Sequence, residues 1–320
     1  MQSLTRRGFL GLTATAGIAV AATATATAAP NGVTVDHAFG STIIPAPPRR
    51  VVSAGFTEQD DLLALGVVPV ATTEWFGKQP FAVWPWARPR LGGAQPVVLS
   101  LTNGIEVDRI AALRPDLIVA TNAGVDAAMY RRLSAIAPTI PQSGPAPFFE
   151  PWRQQATAIA QAVFRPEAMK SQINAIDAAF TNVARMYPQF RGKSIASLQG
   201  STYWQDNAIA TRAGWKTEWL TQMGFVIPAE LDAFGRPDDD RAYIPIDQVG
   251  AALGGVDVLL WRTESDADIA ALQAIPAIAG FGNRNVFTTR EQAGAIAFAS
   301  PLSFPLVADQ LPPLLARAVS

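Results

Sequence analysis

One short sequence pattern occurs twice in this chain, at residues 105–119 and again at residues 244–260. Each copy has a strand-like approach, an aspartate (Asp108 or Asp247), a short helix with one apolar face, and a continuous apolar run. An aspartate at a helix N-terminus caps free backbone N–H groups and suits the positive end of the helix dipole. An apolar run without polar alternation suits a parallel strand that is covered on both faces. Two copies of this unit predict two similarly built α/β lobes with a ligand cleft between them.

Length and charge agree with a two-lobed binding protein. The chain has 320 residues, which exceeds one ordinary domain and suits two. Its 25 Lys and Arg are balanced by 26 Asp and Glu without a basic stripe, so no nucleic acid partner is expected. The sequence contains no cysteine, which excludes disulfides, a thiolate nucleophile and iron–sulfur clusters.

The N-terminal segment is predicted to be an export signal. Arg6 and Arg7 precede an apolar stretch that ends in a run of small residues before Pro30. This order is that of a secretory signal, and the stretch is too rich in Thr and Gly for a membrane span. Residues 5–10 resemble the twin-arginine signal, whose route carries folded proteins; the alternative is an ordinary secretory signal. Cleavage after Ala28 would leave a protein of the periplasm or cell envelope.

The start of the mature chain reads as a parallel crossover unit. A buried strand at residues 51–56 is followed by a helix and then by a strand at residues 67–73. Thr57 and Asp60 resemble a capping box, so the helix is predicted to begin there. In such units the functional loops follow the C-terminal ends of the strands.

A single long helix is predicted between the two lobes. From Pro166, apolar residues recur at spacings of three and four as far as residue 187, and Pro188 ends the pattern. Such a helix is a stiff connector, so only small motion between the lobes is expected. The predicted organisation is a signal peptide at 1–28, an N-terminal lobe at 29–165, a linker helix at 166–188 and a C-terminal lobe at 189–320.

Catalytic and metal-binding patterns are missing from the sequence. It has no G-x-S-x-G, no G-x-G-x-x-G and no G-x-x-x-x-G-K-[ST] segment. The single histidine, His37, lies close to the mature N-terminus, where a Ser-His-Asp triad would have to recruit it. A zinc site generally needs several His or Cys ligands. No catalytic residue, no metal site and no enzymatic activity are therefore predicted.

Aromatic and polar residues near predicted strand ends in both lobes are candidates for ligand binding. An arginine in such a loop would bind an anionic ligand through its fixed fork of donors. The alternative roles are core packing for the aromatic rings and solvated surface charge for the arginines. The candidate ligand-binding residues are Phe56, Thr57, Glu58, Trp75, Trp84, Asn122, Tyr203, Trp204, Arg212, Arg262 and Gln292.

Several passages carry a resemblance to a known family. Residues 48–53 and 61–70 resemble the start of the binding proteins of iron-siderophore, haem and vitamin B12 ABC importers, and residues 108–119 resemble that family's most recognisable segment. Residues 75–86 and 291–295 are similar to actinobacterial ferric-siderophore or haem binders of the ferric-citrate-binding type. The resemblance covers about residues 45–320 and is specific for the family but weak for the ligand.

The resemblance implies a fold, a ligand and a membrane partner. The fold would be two Rossmann-like α/β lobes joined by a single long helix, and the protein a monomeric solute-binding component without an intrinsic cofactor. Its ligand would be a ferric chelate, most simply an iron(III)-siderophore, delivered to an ABC permease. Asp108 and Asp247 stand where the family often has glutamates that meet permease arginines. Gram-positive members often carry a lipidated cysteine, which this chain lacks, so no lipid anchor is expected.

Three alternatives remain open at this point. Haem is the main rival ligand, and its iron would need Tyr203, a methionine or no protein ligand at all. Residues 101–104 lack the arginine that some siderophore binders place before the first repeat helix, which weakens the case for a strongly anionic ligand. An exported α/β hydrolase-like enzyme would need a nucleophile–base pair in the cleft. A binding domain that signals without transport would lack a neighbouring permease gene.

Overall fold

The computed structural model describes residues 32–201 and 206–319. The predicted signal peptide and two candidate residues, Tyr203 and Trp204, lie outside the described residues. The strands within these ranges are β1 (Val33–His37), β2 (Gly40–Ile44), β3 (Val51–Ser53), β4 (Ala71–Glu74), β5 (Val97–Ser100), β6 (Leu117–Ala120), β7 (Thr139–Pro141), β8 (Ile195–Gln199), β9 (Asn207–Thr211), β10 (Arg241–Pro245), β11 (Val258–Arg262) and β12 (Asn285–Phe287).

Helices flank the strands along the whole described chain. They are α1 (Glu58–Ala64), α2 (Val107–Ala112), α3 (Ala127–Ser134), α4 (Trp152–Ala162), α5 (Pro166–Met186), α6 (Glu218–Gln222), α7 (Val249–Leu253), α8 (Asp266–Gln273), α9 (Pro276–Ala279), α10 (Arg290–Phe298) and α11 (Phe304–Ala318). Among the residues that the structure describes, no helix is both long and apolar enough to cross a membrane.

The first lobe is built on a five-stranded parallel sheet with the order β5-β4-β3-β6-β7. Its central strands β3 and β6 are fully buried, as their continuous apolar runs require in a sheet covered on both faces. The chain order reverses between β3 and β6, so the loops after these two strands border the crevice where ligands bind in open α/β sheets. β1 and β2 form a separate antiparallel hairpin.

The second lobe contains a five-stranded sheet with the order β10-β9-β8-β11-β12. β8, β11 and β12 run parallel, but β9 and β10 pair antiparallel. The repeated units end in β6 and β11, which occupy the same place in the two sheet orders. The two lobes are therefore similar in the repeated unit, as predicted. They differ at the edge of the second sheet, where the approach to the second copy forms the antiparallel strand β10.

The helix α5 spans 21 residues between the two sheets in the chain. Its length corresponds to about 31 Å at 1.5 Å per residue. It buries Met169, Ile176, Phe180 and Val183, which repeat along one face, and packs against α4, α6 and α11. The repeat of apolar residues therefore forms one continuous helix, anchored by packing on both lobes.

The predicted capping box at Thr57 and Asp60 does not form. Thr57 is the N-cap residue of α1 but makes no capping hydrogen bond through its side chain. Both side chains bond to other parts of the chain instead, since Asp60 Oδ2 accepts from Trp86 Nε1 at 2.8 Å. A capping box does form at α10, where Thr289 and Gln292 exchange side-chain and backbone hydrogen bonds.

The two repeat aspartates do not cap their helices either. Asp108 lies in the first turn of α2, whose N-cap is Glu106, and Asp247 lies in a short 3-10 turn that leads into α7. Neither helix start has a side-chain capping bond, and both aspartates are exposed. The prediction of capping by Asp108 and Asp247 was wrong because the helices begin at different residues from those that the repeat suggests. The last helix, α11, continues through Pro312 and Pro313 without a break.

Candidate ligand-binding site

A cleft of about 890 Å³ lies between the two sheets and is lined from both lobes. The first lobe contributes the loops after β3, β4 and β6 and the segment before α4. The second lobe contributes the ends of β8, β9 and β11, the loops that follow β9 and β11, and one face of α10. The parallel strands of both sheets end at this cleft, which is where ligands bind in open α/β folds. The predicted cleft between the lobes is thus present.

The first-lobe side of the cleft carries an aromatic wall made of Phe56, Trp75, Phe76, Phe148 and Phe149. The ring of Phe56 stacks on Trp75 with centroids 5.6 Å apart and on Phe148 at 5.7 Å. Trp75 also contacts Phe149 at 5.0 Å and meets Phe76 edge-on at 4.7 Å. Trp75, Phe76 and Phe149 line the cleft, whereas Phe56 contacts their rings without lining it. Mutual packing fixes these rings and gives a ligand a broad apolar surface.

Asn122 restrains the position of Phe149 in this wall. Its Oδ1 accepts a hydrogen bond from the backbone N–H of Phe149 at 3.0 Å, and its Nδ2 donates to Thr57 Oγ1 at 3.1 Å. Phe149 has a φ of 56°, in the left-handed region that bulky residues rarely occupy. Such a conformation persists where the surroundings hold it, and the bond to Asn122 is one of these restraints.

Arg262 places a positive charge on the second-lobe side. It is the last residue of β11, its Nε donates to the carbonyl of Leu198 at 3.2 Å, and its Nη2 lies 3.4 Å from Thr211 Oγ1. Burial lowers the pKa of Arg262 to about 10, an effect that the negative charge of Asp240 partly opposes. Arg262 therefore remains charged at neutral pH, and no ion pair to it is found among the described residues.

The other cations of the cleft each have a carboxylate partner. The pairs are Lys216 with Asp240, Arg241 with Asp239, and Arg290 with Glu264. The Arg290–Glu264 pair is the loosest, with 4.0 Å between Nε and Oε2. Arg262 thus differs from its neighbours, because its guanidinium bonds only to neutral oxygens and keeps its charge available to a ligand.

Two cations of the second lobe contact the first lobe across the cleft. The ammonium of Lys216 lies 5.3 Å from the centroid of the Phe149 ring, within cation–π range. Nη2 of Arg290 donates to the carbonyl of Gly77 at 3.0 Å. Both contacts connect a second-lobe cation to the first lobe, so the relative position of the lobes is held on two sides of the cleft.

Four buried carboxyl groups, here called the cleft-floor acids, lie beneath the aromatic wall: Glu58, Asp60 and Asp61 of α1, and Glu150. All four are at most 5% exposed. Glu58 Oε1 accepts from the backbone N–H of Asn122 at 2.9 Å, and Glu150 Oε2 accepts from that of residue 143 at 2.8 Å. Glu150 also lines the cleft.

Burial raises the pKa of every cleft-floor acid. It raises the pKa of Glu58 to about 7 and that of Asp60 to about 6, because a charged carboxylate loses hydration inside the protein. The pKa of Asp61 lies well above its ordinary value, through burial first and then through the negative charges of Asp60, Glu58 and Glu150. Burial also raises the pKa of Glu150. These acids therefore carry protons at higher pH than exposed carboxyls do.

The structure brings four of the predicted ligand-binding residues to the cleft: Thr57, Trp75, Asn122 and Arg262. Glu58 does not line it but lies directly beneath, bonded to the backbone of Asn122. Each of the four follows or ends a strand, as is expected of functional residues in parallel crossover units.

Trp84 does not line the cleft, because its ring is buried between the first lobe and α10 of the second. It is 2% exposed and stacks on Trp86 at 5.0 Å. Its ring occupies the space that a Cβ atom would take at Gly77 and at Gly294, where the nearest ring atoms would be 2.5 and 2.6 Å away. Of the two roles open to this residue, the structure supports core packing.

Arg212 and Gln292 are also absent from the cleft lining. Nε of Arg212 donates to Asp232 Oδ1 at 2.7 Å, and its Nη1 donates to the carbonyl of Asp239 at 2.9 Å, so it ties two loops together. Gln292 closes the capping box of α10 with Thr289. Both side chains are bonded to neighbouring loops or helices outside the cleft lining.

His37 lies outside the cleft, in β1. Its Nε2 is 3.0 Å from Thr42 Oγ1 and 3.2 Å from the hydroxyl of Tyr130, and its Nδ1 accepts from the backbone of residue 39. Burial lowers the pKa of His37. The single histidine of the chain therefore bonds within and beside the hairpin and is not among the residues that line the cleft.

The sequence profile of the family described as periplasmic binding protein matches residues 51–293, which include β3 to β12. The chain belongs to the periplasmic binding protein family.

Relatives of this periplasmic binding protein have been solved or described. A periplasmic solute binding protein from Mycobacterium smegmatis has a crystal structure with 56% sequence identity and a TM-score of 0.85, covering 90% of this chain and 99% of that one. A probable siderophore-binding lipoprotein of Bacillus subtilis is 29% identical over 241 residues, 72% of this chain and 68% of the relative. The Fe(3+) dicitrate-binding periplasmic protein of Escherichia coli is 24% identical over 213 residues, 64% of this chain and 68% of the relative.

Several lining residues of this periplasmic binding protein were not among the sequence-predicted candidates. They include Phe149, Glu150, Gln155, Lys216 and Arg290. The signal for Phe149 is local, because residues 148 and 149 are two adjacent phenylalanines in a polar, proline-rich loop before α4. Gln155 lies inside a helix, and no local sequence signal separates it from a surface glutamine.

Proposed function

We propose that this protein is the solute-binding component of an ABC importer that captures an iron(III)-siderophore and delivers it to a membrane permease. The family supports a binding rather than a catalytic role, and the cleft is large enough for a chelate of drug-like size or larger. The ligand is the cargo, and the proposal includes no resident cofactor and no covalent step.

The arrangement that carries this proposal is a charged residue facing an aromatic wall. Arg262 on the second lobe presents a guanidinium without a carboxylate partner, while Trp75, Phe76 and Phe149 present apolar rings on the first lobe. A ferric chelate with an apolar or aromatic backbone and anionic oxygen donors would satisfy both sides. The relatives from Bacillus subtilis and Escherichia coli are named for siderophore and ferric dicitrate binding, which supports the same ligand class.

Lobe boundaries and docking residues form part of the proposal. The lobes would comprise residues 29–165 and 189–320, joined by the linker at 166–188, in a monomeric protein. Asp108 and Asp247 are exposed beside the equivalent helices α2 and α7. They would contact arginines in the two halves of the permease, one aspartate on each lobe.

Export and the absence of a lipid anchor are likewise proposed. The segment at residues 1–28 would direct the protein through the twin-arginine route to the periplasm or cell envelope. The Bacillus subtilis relative is named a lipoprotein, but the 320 residues of this chain contain no cysteine to carry a lipid. Metabolic labelling with palmitate, with a known lipoprotein as the positive control, would test this point.

Quenching of tryptophan fluorescence tests the proposed function. Trp75 lines the cleft, so a bound ferric chelate should quench emission. The panel should contain ferrichrome, ferric dicitrate, an iron(III) tris-catecholate, haem and cobalamin. We expect at least one ferric siderophore to bind with micromolar or tighter affinity and to outcompete haem. Saturable binding of haem alone would favour the haem alternative, and no binding by any compound would overturn both.

Arg262→Ala is the informative variant for this assay. Loss of a charge-assisted, bidentate contact should weaken binding of an anionic chelate by about tenfold to a hundredfold. Arg262→Lys should recover only part of the affinity, because an ammonium lacks the planar fork. Arg185→Ala, which removes an exposed arginine of α5, is the matched control and should bind normally. Equal ligand affinity in all three variants would show that Arg262 is not part of the binding site.

A further inference from the structure

The cleft-floor acids are buried without positively charged partners among the described residues. None of the ion pairs among the described residues includes Glu58, Asp60, Asp61 or Glu150. Two of their oxygens, Asp60 Oδ1 and Glu150 Oε1, are buried without a hydrogen-bond partner. Burying an ionised carboxylate without a partner costs free energy, so these carboxyls favour the protonated form.

Cations on the neighbouring elements are engaged elsewhere. α1 packs against α4 and against the turn at residues 88–91. In that turn, Arg88 donates to the side chain of Gln79 at 2.9 Å and Arg90 is exposed. On α4, Arg153 is paired with two carboxylates of α5 and α6. Arg165 donates to a backbone carbonyl just beyond the end of α1. None of these arginines offsets the charge of the cleft-floor acids.

Residues that line the cleft also hold the cleft-floor acids. Nε2 of Gln155 donates to Asp61 Oδ2 at 2.8 Å, and the backbone N–H of Asn122 donates to Glu58. Glu150 belongs to both sets, since it lines the cleft and is 5% exposed. Asp61 and Glu58 are therefore one hydrogen bond away from lining residues, while Asp60 is held by Trp86 and Ser300, which do not line the cleft.

We propose that binding of an anionic ligand in this cleft is coupled to proton uptake by the cleft-floor acids, so that the protein holds its ligand more tightly as the pH falls. The coupling rests on the proposed function in so far as it requires an anionic ferric chelate as the ligand. A bound chelate would displace water from the cleft and bring negative charge toward the acids, and both changes favour neutral carboxyls. Linkage then requires affinity to rise as protons become available.

The pKa values of Glu58 and Asp60, about 7 and about 6, set the pH range in which the coupling would be seen. Each proton fully taken up on binding changes the affinity by up to about tenfold per pH unit. Ligand capture would be favoured in a mildly acidic envelope, and release would be favoured near or above neutral pH.

Calorimetry with an iron(III) tris-catecholate as the probe tests the coupling. Titrations at about pH 7 in two buffers that differ in ionisation enthalpy should give different apparent enthalpies, which reveal net proton uptake. The dissociation constant should increase about threefold or more between about pH 6.5 and pH 8. Spectra of the free chelate over the same range control for its own protonation.

Variants with a neutral amide in place of a carboxyl test whether the acids cause the pH dependence of ligand affinity. Asp61→Asn and Glu150→Gln imitate the protonated state, so each should bind about threefold tighter than the native protein at pH 8 and take up fewer protons. Asp266→Asn, an exposed acid of α8, is the matched control and should behave like the native protein.

The outcomes distinguish the coupling from the proposed function. Binding of the tris-catecholate with no proton uptake and an unchanged dissociation constant would overturn the coupling alone. Binding of neutral ferrichrome but of no anionic chelate would also overturn the coupling and keep the siderophore function. Failure of every ferric chelate to bind would overturn the proposed function and, with it, the anionic ligand that the coupling requires.

Discussion

Nδ2 of Asn122 donates a hydrogen bond of 3.1 Å to Oγ1 of Thr57 and thereby joins the loops that follow β6 and β3. The same Asn122 holds the backbone of Phe149, so one amide connects the central strands of the first sheet to the aromatic wall. The central sheet, rather than a mobile loop, therefore supports the aromatic wall where a ligand contacts it.

Replacement of Asn122 should show how much the wall depends on this amide. Asn122→Ala removes two hydrogen bonds and leaves the buried hydroxyl of Thr57 with one partner fewer, so we expect a loss of about 1–3 kcal/mol in the free energy of unfolding. Ligand affinity should fall as Phe149 loses its restraint. Urea unfolding and fluorescence titration measure the two effects, with the exposed Asn182→Ala as control. A variant of native stability and affinity would show that Phe149 is held by ring packing alone.

Ligand binding should produce only a small change in overall shape. The helix α5 packs on helices of both lobes, and the contacts of Lys216 with Phe149 and of Arg290 with Gly77 already bridge the cleft. Small-angle scattering should give nearly the same radius of gyration with and without a ferric chelate. A marked compaction on binding would instead indicate a hinge that bends α5.

Stability should depend on pH through Glu58. Its pKa is about 7 in the folded protein, above the ordinary 4.5, so the folded state binds this proton more tightly than the unfolded chain. The stabilisation is complete below about pH 4.5 and is lost as the pH rises through about 7. Glu58→Gln keeps an acceptor for Asn122 and removes the charge, so at pH 8 it should be more stable by up to about 3 kcal/mol.

Thermal unfolding at several pH values checks this expectation. The difference between the native protein and Glu58→Gln should be largest at pH 8 and small near pH 4, while the exposed Glu167→Gln should follow the native curve throughout. A constant difference across this range would mean that Glu58 titrates normally.

Charge reversal at the proposed docking residues should affect transport alone. Neither Asp108 nor Asp247 caps a helix or is buried, so the double change to lysine should alter the free energy of unfolding by no more than about 0.5 kcal/mol. Ligand affinity should be unchanged, but uptake by the permease in proteoliposomes should fall. The control pair Glu167→Lys and Asp266→Lys also reverses two exposed acids in first helical turns. An equal loss of uptake in both double variants would show that net charge, rather than the position of the two aspartates, causes the effect.

Candidate site residues outside the described part of the chain stay predictions. Trp204→Ala should weaken ligand binding without unfolding the protein if that residue contributes to the cleft. Fluorescence titration beside Trp75→Ala, which removes a ring known to line the cleft, provides the comparison. Native affinity in a folded Trp204→Ala variant would place Trp204 elsewhere.

Parts of the fold could be predicted because their signals are local. Strands β3, β6, β8 and β11 are mostly apolar segments, and α5 has a regular apolar repeat between two prolines. The direction of β9 and β10 could not be predicted in this way. Apolar patterning reports burial, and a parallel and an antiparallel strand at the edge of a sheet bury similar residues.

The cleft-floor acids show what local patterns cannot reveal. Three carboxyls in the first turn of α1 are typical of a solvated helix start that complements the helix dipole. Here that turn is covered by Gln155, by Glu150 and by Ser300, whose hydroxyl donates to Asp60 at 2.6 Å from 240 residues away in the chain. Burial of this kind results from distant segments, as does the burial of Trp84 against Gly294.

The capping box at Thr289 and Gln292 has a consequence for the spacing of residues along α10. It fixes the residue at which α10 starts, and therefore which side chains face the first lobe. Each residue advances a helix by about 100°, so inserting or deleting one residue after the box would turn the next positions away from the cleft. Arg290 precedes such a change and would keep its bridge to the backbone of Gly77, while the lining residues Ala293, Ile296 and Ala297 would turn away. Changes in length at this point are thus far less tolerable than changes in residue type, and redesign of the cleft should preserve the spacing from Thr289 to Phe298.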